Sequence, residues 1–267
     1  TVVASIQEQV TYGIDIPTAW GCVLLYTLQI YYDFSGYSDI AIGLSNIFGL
    51  ELDENFRFPY TAVSITDFWR KWHISLGTWF KEYIYIPLGG NRKGWIRTLV
   101  NLGIVFLITG IWHGAGGNYI FWGALHGTVR ILEKCIEKKK LYIKIPKAVK
   151  WIFTMLIVSI GWQAFRFSNI KELFDYYKIL FGIVRFDASD IFYQFVYFFD
   201  KKAIILCTVG ILGATIFSAD RMKRAVNYLQ KKSVGLIIQE IVLLGVMIVS
   251  VICMVNSTYS PFIYFKY

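Results

Sequence analysis

Long apolar runs separated by short basic segments dominate the chain. The clearest runs cover residues 148–165 and 234–255, and a shorter one covers residues 203–218. A helix needs about 20 mostly apolar residues to cross the hydrocarbon core of a bilayer. The pattern therefore predicts membrane-spanning α-helices at these places, and it predicts an all-α, polytopic integral membrane protein as the fold class.

An earlier apolar run, residues 19–50, begins as a span and is then interrupted by the string "YYDFSGYSD". Its aspartates, Asp33 and Asp39, would be costly in free lipid. Irregular backbone at membrane depth is tolerated only where protein or water covers it. The pattern predicts either a broken helix or a helix that faces protein or water. No repeat or low-complexity linker divides the chain, so residues 1–267 are expected to form a single domain.

Aromatic residues recur at steps of three and four in the region 53–90, after a Ser or Thr cap. The stripe consists of Trp69, Trp72, His73, Leu76, Trp79, Phe80 and Tyr83. This spacing predicts an amphipathic helix with an aromatic face used for packing. Since Trp and Tyr favour the membrane–water interface, the helix is expected to lie there. His73, on the apolar face, is interpreted as a structural histidine.

Residues 98–133 are flanked on both sides by basic segments, which face the cytoplasm when they lie in short loops. The segment must therefore enter the membrane and return. Each limb, 98–112 and 118–133, has about 15 residues and would reach only about 22 Å into a core about 30 Å thick. The sequence predicts a re-entrant helix hairpin, with the "HGAGG" tip within the membrane and His113 at the blind end of a pocket.

Composition supports a membrane protein with several spans. Hydrophobic residues make up 56% of the 267 positions and charged residues 17%, and the mean hydropathy is +0.50, which exceeds ordinary globular usage. The net charge of +9 comes from Lys and Arg in short segments between apolar runs, an arrangement that argues against a nucleic-acid partner. The basic segments 134–150 and 221–232 are expected in the cytoplasm, and the loop 166–202 and the C-terminus outside.

Cysteine spacing and the first residues add two expectations. The four cysteines lie far apart, so neither a zinc site nor a disulfide framework is expected. The start at Thr1 has no signal-peptide pattern, and it is interpreted as a fragment boundary.

Two of the three histidines, His113 and His126, lie in the apolar, glycine-rich string "GIWHGAGGNYIFWGALHG". A histidine can transfer protons near neutrality because its usual pKa is about 6.5, and ionisable groups at membrane depth are usually functional. His113 is therefore a candidate catalytic residue, and Gly114, Gly116 and Gly117 would let a bound group approach the backbone. The structural alternative is a hairpin whose glycines form the turn.

His126 lies one to two helical turns along the second limb. Packing against a neighbouring span and positioning of a substrate are equal alternatives for it. A site formed by three histidines could hold zinc, but the chain contains no HxH or HxxxH pair. No metal is therefore expected.

Three long strings resemble the membrane-bound O-acyltransferase family. They are "YYDFSGYSDIAIGLSNIFGLELDENFRFPY" (31–60), "FWRKWHISLGTWFKEYIYIPLGGNRKG" (68–94) and "RTLVNLGIVFLITGIWHGAGGNYIFWGALHG" (97–127). They occur in the family's order and are most similar to the bacterial branch of alginate O-acetyltransferase membrane subunits and peptidoglycan O-acetyltransferases. The ending "SPFIYFKY" is also similar to that branch.

The resemblance implies a ring of helices around a thinned centre, with a tunnel between a cytoplasmic donor side and an external acceptor side. It implies that His113, in "WHG", is the catalytic histidine, and that His126, in "ALHG", is a second family hallmark. Two departures stand out. Relatives commonly have a tryptophan after "WHGA", where this chain has Gly116 and Gly117, and relatives are longer at the N-terminus, which implies that several spans are missing here.

The function implied is transfer of an acetyl group from a cytoplasmic thioester, such as acetyl-CoA, to an extracytoplasmic polysaccharide, with His113 as general base. Candidates for the tunnel lining are Trp112, Gly114, Asn118, Asp33 and Asp39, and Asn118 is also considered for oxyanion stabilisation. No bound cofactor is expected. The resemblance further implies an extracytoplasmic esterase-like partner and a multi-pass location in a bacterial cytoplasmic membrane. D-alanyl transfer to teichoic acid and a proton-coupled transporter remain alternatives.

Overall fold

The computed structural model describes residues 13–139, 145–187, 195–216, 220–231 and 233–255, together with residues 3 and 191. The α-helices in these residues are α1 (Ile16–Ile47), α2 (Ile65–Trp69), α3 (Ile74–Phe80), α4 (Trp95–His113), α5 (Gly117–Lys138), α6 (Lys147–Trp162), α7 (Ile170–Leu180), α8 (Phe195–Phe198), α9 (Lys201–Thr215), α10 (Asp220–Gln230) and α11 (Ser233–Val255). Short 3₁₀ turns occupy Pro59–Thr61 and Gln163–Phe165, and a π-helical turn occupies Lys81–Tyr85. No β-strand occurs within these ranges, so the all-α fold class is confirmed.

Helix α1 runs without interruption through the string that predicts a break. Asp15 caps its start by accepting a hydrogen bond from the backbone N–H of Thr18 at 2.8 Å. Asp39 is exposed, and a Cβ on Gly36 would meet no atom within 4 Å, so both lie on the open surface of the helix. The broken-helix alternative is wrong, because a glycine or an aspartate costs a helix only about 1 kcal/mol or less. A helix of 32 residues absorbs that cost.

The region predicted to be one amphipathic helix forms two short helices, α2 and α3. Between them, Trp72 makes an isolated antiparallel bridge with Phe56. Beside it, the backbone N–H of Ile74 donates to the carbonyl of Asn55 at 3.0 Å. The chain turns at His73, whose φ of 47° lies in the left-handed region. The prediction of a single helix is therefore wrong, because a contact with residues some sixteen positions earlier ends α2 before α3 begins.

The aromatic stripe of this region is divided between core and surface. Trp72 is only 3% exposed and belongs to the core. Trp79 and Tyr83 are 48% and 65% exposed, and their rings stack with centroids 5.4 Å apart. The outer half of the stripe thus has the exposed aromatic character expected of an interfacial segment.

Helices α4 and α5 form the predicted hairpin, and glycines bring their backbones close together. A Cβ on Gly110 would lie 2.5 Å from the carbonyl oxygen of Tyr119, and a Cβ on Gly123 would clash with the carbonyl oxygen of Phe106. Small residues allow this close approach between membrane helices. The two limbs therefore form one rigid unit.

The limbs of the hairpin are longer than the sequence predicts. Helix α4 has 19 residues and α5 has 22, so α4 rises about 28 Å and is long and apolar enough to cross a membrane. The expectation that both limbs are too short to cross is wrong. Polar residues at the helix ends, such as Arg97 and Lys134, continue the helix instead of ending it.

Two further helices have the length and composition of membrane spans. They are Lys147–Phe165, which is α6 with its following turn, and Ser233–Val255, which is α11. The runs predicted at 148–165 and 234–255 are thereby confirmed as span candidates. Helix α9, which overlaps the run predicted at 203–218, has 15 residues and is too short to count as one. The C-terminal string "STYSPFIYFKY" lies outside the described residues.

The core is an aromatic cluster where α5, α6 and the segment 59–72 meet. Trp122 and Trp162 are 0% and 2% exposed. The ring of Trp72 lies 4.6 Å from that of Trp162 and 5.6 Å from that of Phe68, between centroids. This cluster supports the histidines described next.

Candidate active site

His113 is the last residue of α4, at the tip of the hairpin. Its imidazole meets three aromatic rings edge-on, those of Trp112, Trp122 and Phe165, at centroid distances of 4.9, 5.1 and 5.0 Å. Within the described part of the chain, no hydrogen bond engages its ring nitrogens. The rings therefore fix the orientation of the imidazole, while its nitrogens stay available for proton transfer.

His126 is fully buried beside the same tryptophan. Four aromatic rings surround it: Trp122 at 5.2 Å, Trp69 at 5.3 Å, and Trp162 and Phe106 at 6.5 Å between centroids. Neither ring nitrogen has a hydrogen-bond partner among the described residues. His113 and His126 thus share a contact with Trp122 and do not form a direct dyad.

Asn118, at the start of α5, was considered for oxyanion stabilisation, and its side chain forms hydrogen bonds to backbone carbonyls instead. Its side-chain amide donates to the carbonyls of Ala164 and Phe167 at 2.8 and 3.0 Å, and the residue is 1% exposed. Both side-chain amide hydrogens are therefore occupied, so the side chain of Asn118 has none left to donate to an oxyanion. It fastens the hairpin tip to the turn that follows α6.

The space beside Gly114 is filled by the protein itself. A Cβ there would lie 2.6 Å from the ring of Tyr119, and a Cβ on Gly117 would touch Ile170 at 3.4 Å. The glycines of the tip therefore serve close packing of the turn. The other tunnel candidates are scattered: Trp112 is 55% exposed, and Asp33 and Asp39 lie on α1.

His73, interpreted from its sequence position as a structural histidine, lines a cavity next to the hairpin. It is near enough to His113 for their charges to interact, and its ring packs edge-on against Phe34 at 4.7 Å. Its Nδ1 lies 3.3 Å from the side-chain oxygen of Asn55, which also accepts two hydrogen bonds from Ser75. Because an amide oxygen only accepts, Nδ1 of His73 carries the proton and Nε2 is left as the acceptor. Burial lowers the pKa of His73 to about 4, so the ring is neutral at pH 7.

A cavity of about 540 Å³ opens beside His73, between the segment 66–91 and the hairpin. One face of α4 lines it, at steps of three and four residues: Leu102, Val105, Phe106 and Thr109. Thr109 lies one helical turn before His113. Trp69 and Phe106, which line the cavity, also contact His126. Neither His113 nor His126 is among the described lining residues, and the part of α4 that lines the cavity ends one turn before His113.

The charged groups that line the cavity are all cationic. They are Arg70, Lys81, Arg130 and Lys134, and no carboxylate residue lies among the described lining residues. The ion pairs of the described residues involve none of these four cations. One guanidinium nitrogen of Arg130, Nη1, is buried and has no hydrogen-bond partner among those residues. An anion with oxygen acceptors, such as a phosphate, is the complementary ligand.

Most residues that line the cavity were not predicted from the sequence, although one pattern in the sequence indicates part of it. His126, Arg130, Glu133 and Lys134 follow each other at steps of four, three and one along α5. That spacing places four polar residues on one face of a helix. No group of three or more His, Cys, Asp or Glu in the described ranges could hold a metal ion.

Apolar helices long enough to cross a membrane, with two histidines packed in an aromatic cluster beside a cationic cavity, define the class as an integral membrane protein. A comparison with known protein families then identifies the family. The model of the membrane-bound O-acyltransferase family matches residues 14–168, more than half of the chain. The chain belongs to the membrane-bound O-acyltransferase family, as the strings in its sequence indicate.

Curated relatives carry three related activities in their names. A probable alginate O-acetylase of Pseudomonas putida is 37% identical over 259 residues, 93% of this chain and 53% of that protein. A peptidoglycan O-acetyltransferase of Helicobacter pylori is 44% identical over 168 residues, 62% of this chain and 31% of that protein. A teichoic acid D-alanyltransferase of Bacillus subtilis is 32% identical over 140 residues, 50% of this chain and 35% of that protein. The chain spans about half the length, or less, of these relatives.

Proposed function

We propose that this protein transfers an acetyl group from a thioester donor in the cytoplasm to a hydroxyl of an extracytoplasmic polysaccharide. The observation that carries the proposal is the cationic cavity, which runs along α4 to within one turn of His113. Its cations Arg130 and Lys134 lie on the part of α5 that leads to the basic segment 134–150, which the positive-inside rule assigns to the cytoplasm. A thioester carried on a phosphorylated cofactor, such as acetyl-CoA, has the negative charge that the cations of this cavity complement.

In the proposed reaction, His113 is the general base. A hydroxyl oxygen of the acceptor attacks the thioester carbonyl carbon while His113 takes the hydroxyl proton. The C–S bond then breaks, and the proton passes from His113 to the departing thiolate, so that ester and free thiol are the products. General-base help of this kind contributes roughly 10² to 10⁴ in rate. The aromatic rings that pack against His113 limit the access of competing water.

His73 has a supporting role in this proposal. Its Nδ1–H is engaged with Asn55, and its ring lines the cavity. The remaining acceptor, Nε2, takes a hydrogen bond from a group that enters the cavity next to His113. A neutral His73 also avoids placing a second positive charge beside His113 when the latter becomes protonated.

An extracytoplasmic partner is part of the proposal. None of the rings that contact His113 is a nucleophile, which favours direct transfer or relay over an acyl-enzyme on this chain. An esterase-like protein outside the membrane would complete delivery to the polysaccharide. Acetyl transfer is favoured over D-alanyl transfer because the O-acetylase relatives match more of the chain, at higher identity, than the D-alanyltransferase does.

The test replaces His113 by Ala in the complete protein, expressed at matched membrane abundance in a host that lacks its own copy. Mild alkali releases ester-linked groups from the surface polysaccharide, and both acetate and D-alanine are quantified. We expect acetate in the wild type and a loss of at least about 100-fold in the variant. The control is Ile111→Ala, an exposed position two residues earlier, which should keep wild-type ester.

Two results would contradict the proposal. Unchanged ester in His113→Ala would remove this residue from the chemistry. Release of D-alanine in place of acetate from the wild type would assign the protein to the other transfer reaction.

A further inference from the structure

The carboxylate of Glu133, on α5, binds the start of α2 from a distance of more than sixty residues along the chain. Its Oε1 accepts a hydrogen bond from the backbone N–H of Ile65 at 2.6 Å. Its Oε2 accepts from the backbone N–H and the hydroxyl of Thr66, at 3.0 and 2.9 Å. Glu133 is 6% exposed, so these three hydrogen bonds are made in a nearly dry environment.

Helix α2 also carries a local cap of its own. The hydroxyl of Ser64 accepts from the backbone N–H of Asp67 at 2.9 Å, and the carboxylate of Asp67 accepts from the backbone N–H of Val63 at 3.2 Å. Ser64 and Ile65 are only 8% and 0% exposed, so water does not reach the backbone N–H of Ile65, and this helix start needs an acceptor from the protein. Burying a carboxylate costs free energy that only good hydrogen bonds offset. Glu133 supplies that acceptor from a different helix, so it joins the start of α2 to α5 as well as capping it.

The position of Glu133 explains what the contact achieves. Glu133 adjoins Lys134 and follows Arg130 by one helical turn, and both cations line one wall of the cavity. The segment 66–73 forms another wall, to which it contributes Thr66, Arg70 and His73. The hydrogen bonds of Glu133 to Thr66 therefore join the two walls directly.

We propose that Glu133 is a positioning residue, which sets the separation between the cationic wall on α5 and the wall that carries His73. It thereby sets the fit of the donor in the cavity. This inference rests on the proposed function, since it concerns binding of the thioester donor. Loss of the contact would widen the cavity and weaken donor binding, while His113, held by other contacts, would keep its chemistry.

The test uses Glu133→Gln in the complete protein, in membrane vesicles supplied with labelled acetyl-CoA and native acceptor. Glutamine keeps the size of the side chain, but its amide turns donors towards the N–H groups of Ile65 or Thr66, so at least one hydrogen bond is lost. We expect KM for acetyl-CoA to rise about tenfold, with kcat within about twofold of the wild type. The matched control is Glu137→Gln, an exposed position one turn further along α5, which should leave both constants unchanged.

A purely structural role predicts a different result, with less protein in the membrane and no change in KM for the protein that remains. That result would overturn the proposal, as would unchanged constants. Deuterium exchange of the segment 64–73 in purified protein gives a second readout that does not depend on the reaction. It should quicken in Glu133→Gln, and unchanged exchange would also overturn the proposal. Wild-type vesicles that transfer no acetyl group would instead contradict the proposed function, and the exchange result would then decide the role of Glu133 alone.

Discussion

Gly161 on α6 faces His126, and the substitution Gly161→Ala tests how rigidly that histidine is held. A Cβ at this position would lie 2.8 Å from Nε2 of His126 and 3.5 Å from a ring carbon of Trp122. Real Cβ atoms do not approach this closely, so one of the groups must shift. His126 cannot rotate away easily, because it is 0% exposed and enclosed by aromatic rings.

The magnitude follows from two opposing contributions. Overpacking of a well-packed core costs about 1–3 kcal/mol. Replacing glycine by alanine inside a helix gains up to about 1 kcal/mol. The net loss in the free energy of unfolding is therefore on the order of 1 kcal/mol, which lowers the thermal midpoint by about 2–4 °C for a protein of this size.

The assay is thermal unfolding of the purified protein in detergent. Gly43→Ala on α1 is the matched control, since a Cβ there meets no atom within 4 Å. The control should raise the thermal midpoint slightly or leave it unchanged. In a His126→Ala background the clash is absent, so Gly161→Ala should change sign and become stabilising. A Gly161→Ala variant that is as stable as the control, with no change of sign in the double variant, would refute the rigid placement of His126.

Two further predictions concern stability. Asn118→Leu removes the hydrogen bonds to the carbonyls of Ala164 and Phe167 and leaves buried acceptors unsatisfied, at about 1–3 kcal/mol each; the thermal midpoint should fall by several degrees, and an unchanged midpoint would show that the tip is held by other contacts. Burial lowers the pKa of His73 to about 4, below its unfolded value of about 6.5, so the unfolded state takes up the proton first as pH falls. The stabilisation is complete above about pH 6.5 and is lost towards pH 4, by up to about 3 kcal/mol. The midpoint should therefore drop less between pH 7.5 and 4.5 in His73→Gln than in the wild type, and equal drops would contradict this assignment.

Features that depend on local pattern were predictable from the sequence. The hairpin, with His113 near its tip, and the apolar helices α6 and α11 follow from hydropathy and helical spacing. The family strings pointed to the same histidine. The length of α4 and the continuity of α1 could not be predicted from the sequence. A sequence pattern marks where apolar residues end, whereas backbone hydrogen bonding decides where a helix ends.

Features that depend on distant contacts were not predictable. The bridge between Phe56 and Trp72 precedes the left-handed turn at His73, and no periodicity encodes that bridge. The cavity draws its walls from four separate helices and the π-helical turn, so its charge becomes visible only in three dimensions. Only the polar face of α5, formed by His126, Arg130, Glu133 and Lys134, could be recognised in the sequence.

The close glycine contacts within the hairpin bear on how the protein is assembled. Gly110 and Gly123 meet partners on the other limb that lie only nine to seventeen residues away, and contacts so local in sequence form early and fast. The pair α4 and α5 can therefore associate during insertion, carrying His113 and His126 as a preformed unit. Trp162 and Phe165 come from α6 and its turn, which are synthesised later. The surroundings of both histidines are therefore complete only after the ribosome has produced α6 and this helix has packed against the hairpin.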